Sequence, residues 1–410
     1  MSGAGIANVT REMYLPSPGR GVAATMTTAY VGNGLRRIEM CGDESSSDTL
    51  DRHVQRYSED NGRTWSEWTP RPNMKYWQGD IQMELFDLAW GHDPVSRRTI
   101  HTTLRRLYIG EDKTAWDNMY DHTFYQLSED EGRTLSEPRL LRYEDGPAFD
   151  PDDWANEEYV RTNISYGGYN IPALSNDTII NPFTFNVQQP NQDGEIESVA
   201  GVACWIGRWN EAAQDYDWHV GEHVAVPLSV SSRGLMESFI AELENGDLML
   251  EMRGSNTDVT PGRKWYSLSC DGGETWTEPT DLRYDDGEQF YAPSTFAHMI
   301  RSSRTGKLYW VGNIRPTPPQ GNSPRYPLYI AEVDEELHAL KRDTLTVIDD
   351  RDPENDSAGL QLTNFSLFEN RETGHFELYL TRLGERAEST AVSADFWTAN
   401  VYRYTLELTG

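Results

Sequence analysis

The sequence predicts an all-β protein, one six-bladed β-propeller domain spanning residues 1–410, and three observations carry the prediction. An eight-residue phrase recurs at wide, regular spacing. The segments between its copies alternate apolar and polar residues about Gly-containing turns. No long segment shows the 3.6-residue period of an amphipathic helix.

The phrase reads SEDNGRTW at 58–65, SEDEGRTL at 128–135 and SCDGGETW at 269–276, with starts 70 and 141 residues apart. The second interval is close to twice the first, so one unit has kept its length and lost its phrase. LRYEDG and LRYDDG, starting at Leu141 and Leu282, echo the same 141-residue interval, each after a Glu-Pro. A 70-residue unit fits the 410-residue chain about six times. Six four-stranded units that close into a ring leave only short sheet edges exposed.

Along the chain, each phrase follows a strand-like run. Asp60, Asp130 and Asp271 stand where an Asx turn accepts backbone N–H groups. Gly62, Gly132 and Gly273 supply the backbone freedom, and Trp65 and Trp276 cover the turn. ESFIAELENGDLMLEMR (237–253) reads as a hairpin about Asn245-Gly246, a dipeptide suited to a tight primed turn. STFAHMIRSSRTGKLYWVGN (294–313) and NFSLFENRETGHFELYLTR (364–382) repeat the plan. FWTANVYRYTLEL (396–408) alternates like a strand that completes a blade with N-terminal residues and locks the ring.

Composition narrows the partners. With 36 basic against 66 acidic residues and a net charge of −30, the long-range field repels nucleic acid and anionic membranes, so an anionic small substrate requires a local cluster of arginines. No run approaches the roughly 18 apolar residues of a membrane span. The N-terminal residues lack the basic start and apolar core of a signal peptide. The expectation is a cytoplasmic protein, or a secreted one whose leader has been removed. Three distant cysteines, Cys41, Cys204 and Cys270, are read as reduced. His219 and His223 in WHVGEH lie on an extended segment without a third ligand, and the acidic DPDD (150–153) lacks the spacing of a calcium loop. Neither a metal nor another cofactor is expected.

Ser-x-Asp-x-Gly-x-Thr-Trp resembles the Asp box of the sialidase (neuraminidase) superfamily, whose members are six-bladed propellers with the boxes on the rim away from the active centre. The resemblance implies a glycoside hydrolase acting at the non-reducing end of a glycan, on a sugar that bears a carboxylate. Sialidases hold that carboxylate with three arginines and use an Asp acid/base and a Tyr nucleophile paired with a Glu. Glu237 with the hairpin to Arg253 resembles the family's Glu and second arginine, and Arg325, after Asn313 and a Pro-rich loop, resembles the third. VDEE (333–336) then stands as a degenerate box. Asp48 falls where the acid/base Asp is expected, and Arg20 is the candidate first arginine. The chain departs from the family in having no Arg-Ile-Pro motif around Arg20. It reads Thr363-Asn364 where the Tyr should stand, and YNIPAL (169–174) carries Asn170 in place of an Arg.

The residues support the same chemistry directly. A guanidinium fork matches a carboxylate through two charge-assisted hydrogen bonds. Glycoside cleavage needs one carboxylic acid to protonate the leaving oxygen and a second group to attack or to activate water. On this reading Asp48 is the acid, Glu237 the base or base partner kept ionised by its arginine, and Arg37, Glu39 and Asp43 are further residues of the first blade's mouth. Two alternatives use the same scaffold. A lyase on uronate-containing glycans would take His122, His101 or Tyr169 as its base, with Tyr125 also available; a non-catalytic propeller would bind the acidic glycan without turning it over.

Overall fold

The computed structural model describes residues 5–47, 50–71, 74–110, 118–191, 193–386 and 393–409. Nearly every ordered segment is a strand, and the strands form six antiparallel sheets set around a central channel lined by residues such as Thr27, Trp90, Phe239, His298 and Leu367. The first blade contains Ala23–Tyr30, Arg37–Glu44, Arg52–Ser58 and Thr69–Pro70. The second is built on Ile81–Asp93, Arg98–Tyr108 and Met119–Ser128, the third on Tyr166–Gly167, Thr178–Pro190, Ile196–Asn210 and Asp215–Val220. The fourth holds Met236–Glu242, Leu248–Arg253 and Lys264–Ser269, and the fifth His298–Arg301, Leu308–Asn313 and Leu328–Asp334.

The sixth blade takes Ser366–Glu369, Phe376–Thr381 and Val401–Leu408 from the C-terminal end of the chain and its outer strand, Ile6–Leu15, from the N-terminal end. Ile6 lies opposite Leu408 and Arg11 opposite Tyr404, so the ring is closed by hydrogen bonds between the two ends of the sequence. The expected 396–408 strand is shorter than its alternation suggests. Residues Ala394–Trp397 form a helical turn whose first turn is capped by the Ser393 hydroxyl.

The apolar core is divided among the blade interfaces. Between the fifth and sixth blades, Val311, Leu328 and Ile330 pack on Phe376, Leu378 and Leu406. A similar layer joins the fourth and fifth through Phe239, Met249, Met299 and Trp310. Sheet faces buried in this way leave the centre open for a channel.

Each of the three repeated turns makes one set of bonds. In the first, the Ser58 hydroxyl donates to Asp60 at 2.8 Å and accepts from Gly62 N–H at 2.7 Å, while Asp60 accepts from Thr64 N–H at 2.8 Å. Ser128, Asp130 and Thr134, and Ser269, Asp271 and Thr275, repeat the pattern. The glycines are required: Gly62, Gly132 and Gly273 have φ of 84°, 72° and 99°. The Asn245-Gly246 turn is wider than a two-residue primed turn. Glu242 pairs with Leu248 across a five-residue loop in which only Gly246 has positive φ, at 87°.

Candidate active site

Every inner strand begins at one end of the channel and finishes at the other. Ala23–Tyr30 ends beside the first repeated turn, where the Tyr30 hydroxyl donates to Asn61. Near its start, Thr25 lines a cavity with Gln361 and Asn364. The repeated turns and the mouth therefore occupy opposite faces, and the arrangement of sequence phrases says nothing about the mouth's chemistry.

Two adjoining cavities of about 370 and 230 Å3 share Phe86 at this mouth. The larger is lined by Arg106, Asp121, Tyr166, Tyr169 and Glu237. Glu237 is set there by an irregular strand. Between Met236 and Phe239 the register with Leu248–Arg253 slips, and Glu237 takes φ of 46°, the only positive φ of a non-glycine residue inside a strand among the described residues. A left-handed conformation for a residue with a Cβ costs about 1–2 kcal/mol, and strain of this kind concentrates at functional positions. Thr184 Oγ1 accepts from the Glu237 N–H at 3.2 Å and holds the bulge.

Arg253, on the neighbouring strand, forms an ion pair with Glu237 through Nη1. Its Nε donates to Ser294 Oγ at 2.7 Å and Nη2 to Asn322 Oδ1 at 3.1 Å. Three of its five N–H donors are thus engaged within the protein. Asn322 is a junction. Its side chain also accepts from Arg233 Nη1 at 3.3 Å, and its carbonyl accepts from Arg325 Nε at 3.1 Å. Arg325 Nη1 donates to Gln361 Oε1 at 2.9 Å, which ties this cluster to the smaller cavity.

Opposite Glu237, the hydroxyls of Tyr166 and Tyr169 lie 2.7 Å apart. Burial pushes the Tyr166 phenol up and the charge of Glu237 adds to it; Tyr169 is raised well above the ordinary phenol range by burial, by Tyr166 and by Glu237. Arg106 and Asp121 form a bidentate pair at 2.7 and 2.8 Å. Burial works against the Arg106 charge, but Asp121 outweighs it and raises the guanidinium further. Burial alone would likewise raise the Asp87 carboxyl, yet Arg71 and His101 outweigh it and hold Asp87 well below the usual range.

Under this layer lies a second ion pair. Glu251 and Lys264, both wholly buried, approach to 3.7 Å, and Lys264 donates to the Thr295 carbonyl next to Ser294. Burial raises the Glu251 carboxyl and Lys264 opposes it; burial lowers the Lys264 amine.

The structure brings Glu237, Arg253, Arg325 and Tyr169 to one place and separates other expected residues from it. Asp48 lies outside the described residues, although Glu44 and Leu50 on either side of it line the smaller cavity. Arg20 stands on the rim with its side chain 77% exposed, paired with Asp395. His101 is buried, stacked on Trp90 and 2.8 Å from Asp87. His122 is fully buried, with Nε2 3.2 and 3.1 Å from the Tyr159 and Thr162 carbonyls, and burial lowers its basicity. The Tyr125 hydroxyl donates to Asp215. Arg37 and Glu39 belong to the opposite end of the first blade, packed with Arg56, Glu377 and Tyr379. The expectation that they line the mouth is therefore corrected: both side chains alternate away from it toward the repeated turn. His219 pairs with Glu274 and His223 is exposed, and no cluster of metal-ligating residues occurs among the described residues. The three cysteines are free.

Tyr166, Arg106, Asp121 and Arg233 were not singled out in the sequence. Arg106 and Asp121 are cross-strand partners in adjacent strands, a signal that the sequence offers only once the register is known.

No family model and no curated protein matches the chain. Solved structures do. The NanB sialidase from Streptococcus pneumoniae superposes with a TM-score of 0.60 at 15% identity, over 98% of this chain and 71% of that one. The intramolecular trans-sialidase from Ruminococcus gnavus gives 0.54 at 12% identity, over 96% and 97%, and an α-L-arabinanase from Penicillium chrysogenum gives 0.50 at 12%, over 97% and 98%. The fold is the six-bladed propeller of the sialidase type.

Proposed function

We propose that the protein is a sialidase-like glycoside hydrolase that takes the non-reducing end of an acidic glycan into the mouth of the propeller. The observation that carries this reading is Glu237. A carboxylate on strained backbone, ion-paired to a buried arginine and facing two hydroxyls in contact, is the arrangement expected of a reacting group. In this reading Glu237 draws the proton from the Tyr166–Tyr169 pair, and one of those phenols, or a water between them and the sugar, attacks the anomeric carbon. The tyrosines take the place of the Tyr absent near Thr363. Asp48, between Glu44 and Leu50 in sequence, is the proposed acid; Asp121 is unsuited because both of its oxygens accept from Arg106.

The arginines support an acidic substrate. Arg106 lines the cavity, and Arg253, Arg325 and Arg233 meet at Asn322 beside it, a local excess of guanidinium groups in a protein of net charge −30. With three of the four named histidine and tyrosine bases committed to other groups, a lyase would have to rely on Tyr169. The test is a screen of acidic glycosides and uronate oligosaccharides read by product mass. Hydrolysis adds water, elimination leaves an unsaturated product absorbing in the ultraviolet, and a binding protein gives no product. Glu237→Gln should abolish the hydrolysis and keep the fold; full activity in that variant would remove the assignment.

A further inference from the structure

On the mouth side of the fifth blade, outside the candidate active site, lies a groove of about 640 Å3 whose walls include Tyr291, Tyr326, Tyr329, Arg315 and Arg351. Arg315 follows the end of Leu308–Asn313, and Tyr326 precedes the start of Leu328–Asp334, so both stand at the mouth end of that blade. The two arginines flank the Tyr326 ring, at 5.0 and 6.0 Å from its centre.

Both are held by backbone carbonyls. Arg315 donates to the Tyr326 carbonyl, and Arg351 Nε to the carbonyls of Asp356 and Ser357 at 3.2 and 2.8 Å. Neither has a carboxylate at ion-pair distance among the described residues, and the Arg315 Nε is buried without a partner. A carbonyl orients a guanidinium without forming an ion pair, and Asp352 acts on Arg351 only from beyond contact distance, whereas the groove's third arginine, Arg342, is matched by Asp286 and Glu288. Asp350 is the one carboxylate on the lining.

Partly exposed tyrosine rings suit the apolar face of a sugar, and guanidiniums free of a contact ion pair suit its acidic substituent. The groove opens at the same end of the fifth blade as the mouth. Tyr326 lines the groove, and its neighbour Arg325 bonds Gln361 at the smaller mouth cavity. We propose that this groove binds a second acidic sugar unit of the chain whose end occupies the mouth, so that the preferred substrate is an oligosaccharide carrying at least two anionic residues. The proposal rests on the hydrolase reading for the identity of the chain, and on the groove's own residues for its charge.

The test titrates three probes, an acidic monosaccharide, its acidic tetrasaccharide and a neutral tetrasaccharide, into the Glu237→Gln protein with and without Arg315→Ala/Arg351→Ala. The tetrasaccharide should bind more tightly than the monosaccharide, and the double substitution should weaken only the acidic tetrasaccharide, by about tenfold or more for the loss of two charge-assisted contacts. Unchanged tetrasaccharide affinity overturns the proposal, as does equal binding of the neutral chain. Because Arg315 supports the Tyr326 carbonyl, Arg315→Gln and Arg351→Gln serve as second variants if the double variant melts early, and the same selective loss is required of them. Tetrasaccharide binding that depends on the groove but not on Arg106 or Arg253 would leave the groove standing while removing the mouth as the substrate's terminus. No binding of any acidic probe would remove both.

Discussion

Glu251 and Lys264 offer a test in which electrostatics, burial and the architecture of the mouth can be separated. Both side chains are wholly buried and 3.7 Å apart. At an effective dielectric of about 20, two unit charges at that separation attract by about 4.5 kcal/mol, which desolvation of the two groups largely offsets. The intact pair is therefore close to neutral for stability, while removal of one partner strands a buried charge at a cost of about 3–5 kcal/mol. For a chain of 410 residues unfolding with about 2.1 cal/mol/K per residue, that corresponds to a fall in Tm of about 3–6 °C. The sign of the pH dependence distinguishes the two single variants. In Lys264→Met, Glu251 loses the group that opposes burial, so its folded pKa rises further above the unfolded value. The folded state then binds the proton more tightly than the unfolded state, and stability falls as pH rises from the carboxylate range toward that raised pKa. In Glu251→Gln, Lys264 loses its counter-charge and its folded pKa falls further below the ordinary lysine value. The unfolded state then holds the proton more tightly, and stability falls as pH drops. Thermal melts from about pH 5 to pH 9 should show penalties growing in opposite directions, and Glu251→Leu/Lys264→Met should recover most of the loss. Penalties with the same pH trend in both single variants, or a double variant as unstable as their sum, would refute the account.

Two further outcomes follow from the site and from the repeated turns. Tyr169→Phe should lower kcat by about a hundred- to ten-thousand-fold, the range for loss of a group that moves a proton in the transition state, whereas Tyr125→Phe, whose hydroxyl is committed to Asp215, should leave it unchanged; steady-state kinetics on the substrate found by the screen decides. In the repeated turns, the backbone and side chain of Thr64 hold the Asp60 carboxyl down to about 2, and Thr134 does the same for Asp130. A depressed carboxyl stabilises the folded state above the unfolded carboxylate range and loses that contribution as pH falls through about 2. Asp60→Asn and Asp130→Asn should therefore be less stable than the parent at pH 7 and approach it near pH 2 in denaturant titrations.

The ring was legible because its signal is periodic and local. Ser58, Asp60, Gly62 and Thr64 make their bonds within seven residues, so the turn survives in sequence wherever it survives in structure, and its spacing counts the blades. The pairing of Glu237 with Arg253 was legible for the same reason, since one hairpin carries both. Apart from Tyr169, what faces the hairpin was not. Arg98–Tyr108 is buried almost throughout, which erases the alternation that would have aimed Arg106 at the channel. Tyr166 belongs to a two-residue strand with no period at all, and family order placed a tyrosine in the sixth blade while the phenols beside Glu237 come from the third. Arg20 has no Arg-Ile-Pro motif around it to place it at the mouth. Closure of the ring assigns Ile6–Leu15 to the sixth blade, so Arg20 falls on the connector leaving it, beside the helical turn that holds Asp395.

The strain at Glu237 gives a last prediction in which two effects oppose each other. Glycine adopts φ of 46° freely, so Glu237→Gly relieves about 1–2 kcal/mol of left-handed strain, less roughly 0.5–1 kcal/mol for the extra freedom of the unfolded chain. Removing a catalytic residue often stabilises a protein in this way. Here the carboxylate is also the counter-charge of Arg253, whose side chain is only 7% exposed, and an orphaned buried charge costs about 3–5 kcal/mol. The ion pair wins, and Glu237→Gly should be destabilised by about 2–4 kcal/mol, or about 2–5 °C in Tm for this chain length. Glu237→Gly/Arg253→Met removes the orphan as well and should melt above the single variant, showing the relief that the lone substitution hides. If Glu237→Gly alone raises Tm, Arg253 does not depend on Glu237 for its charge, and the case for Glu237 as a group held in place for reaction loses its main support.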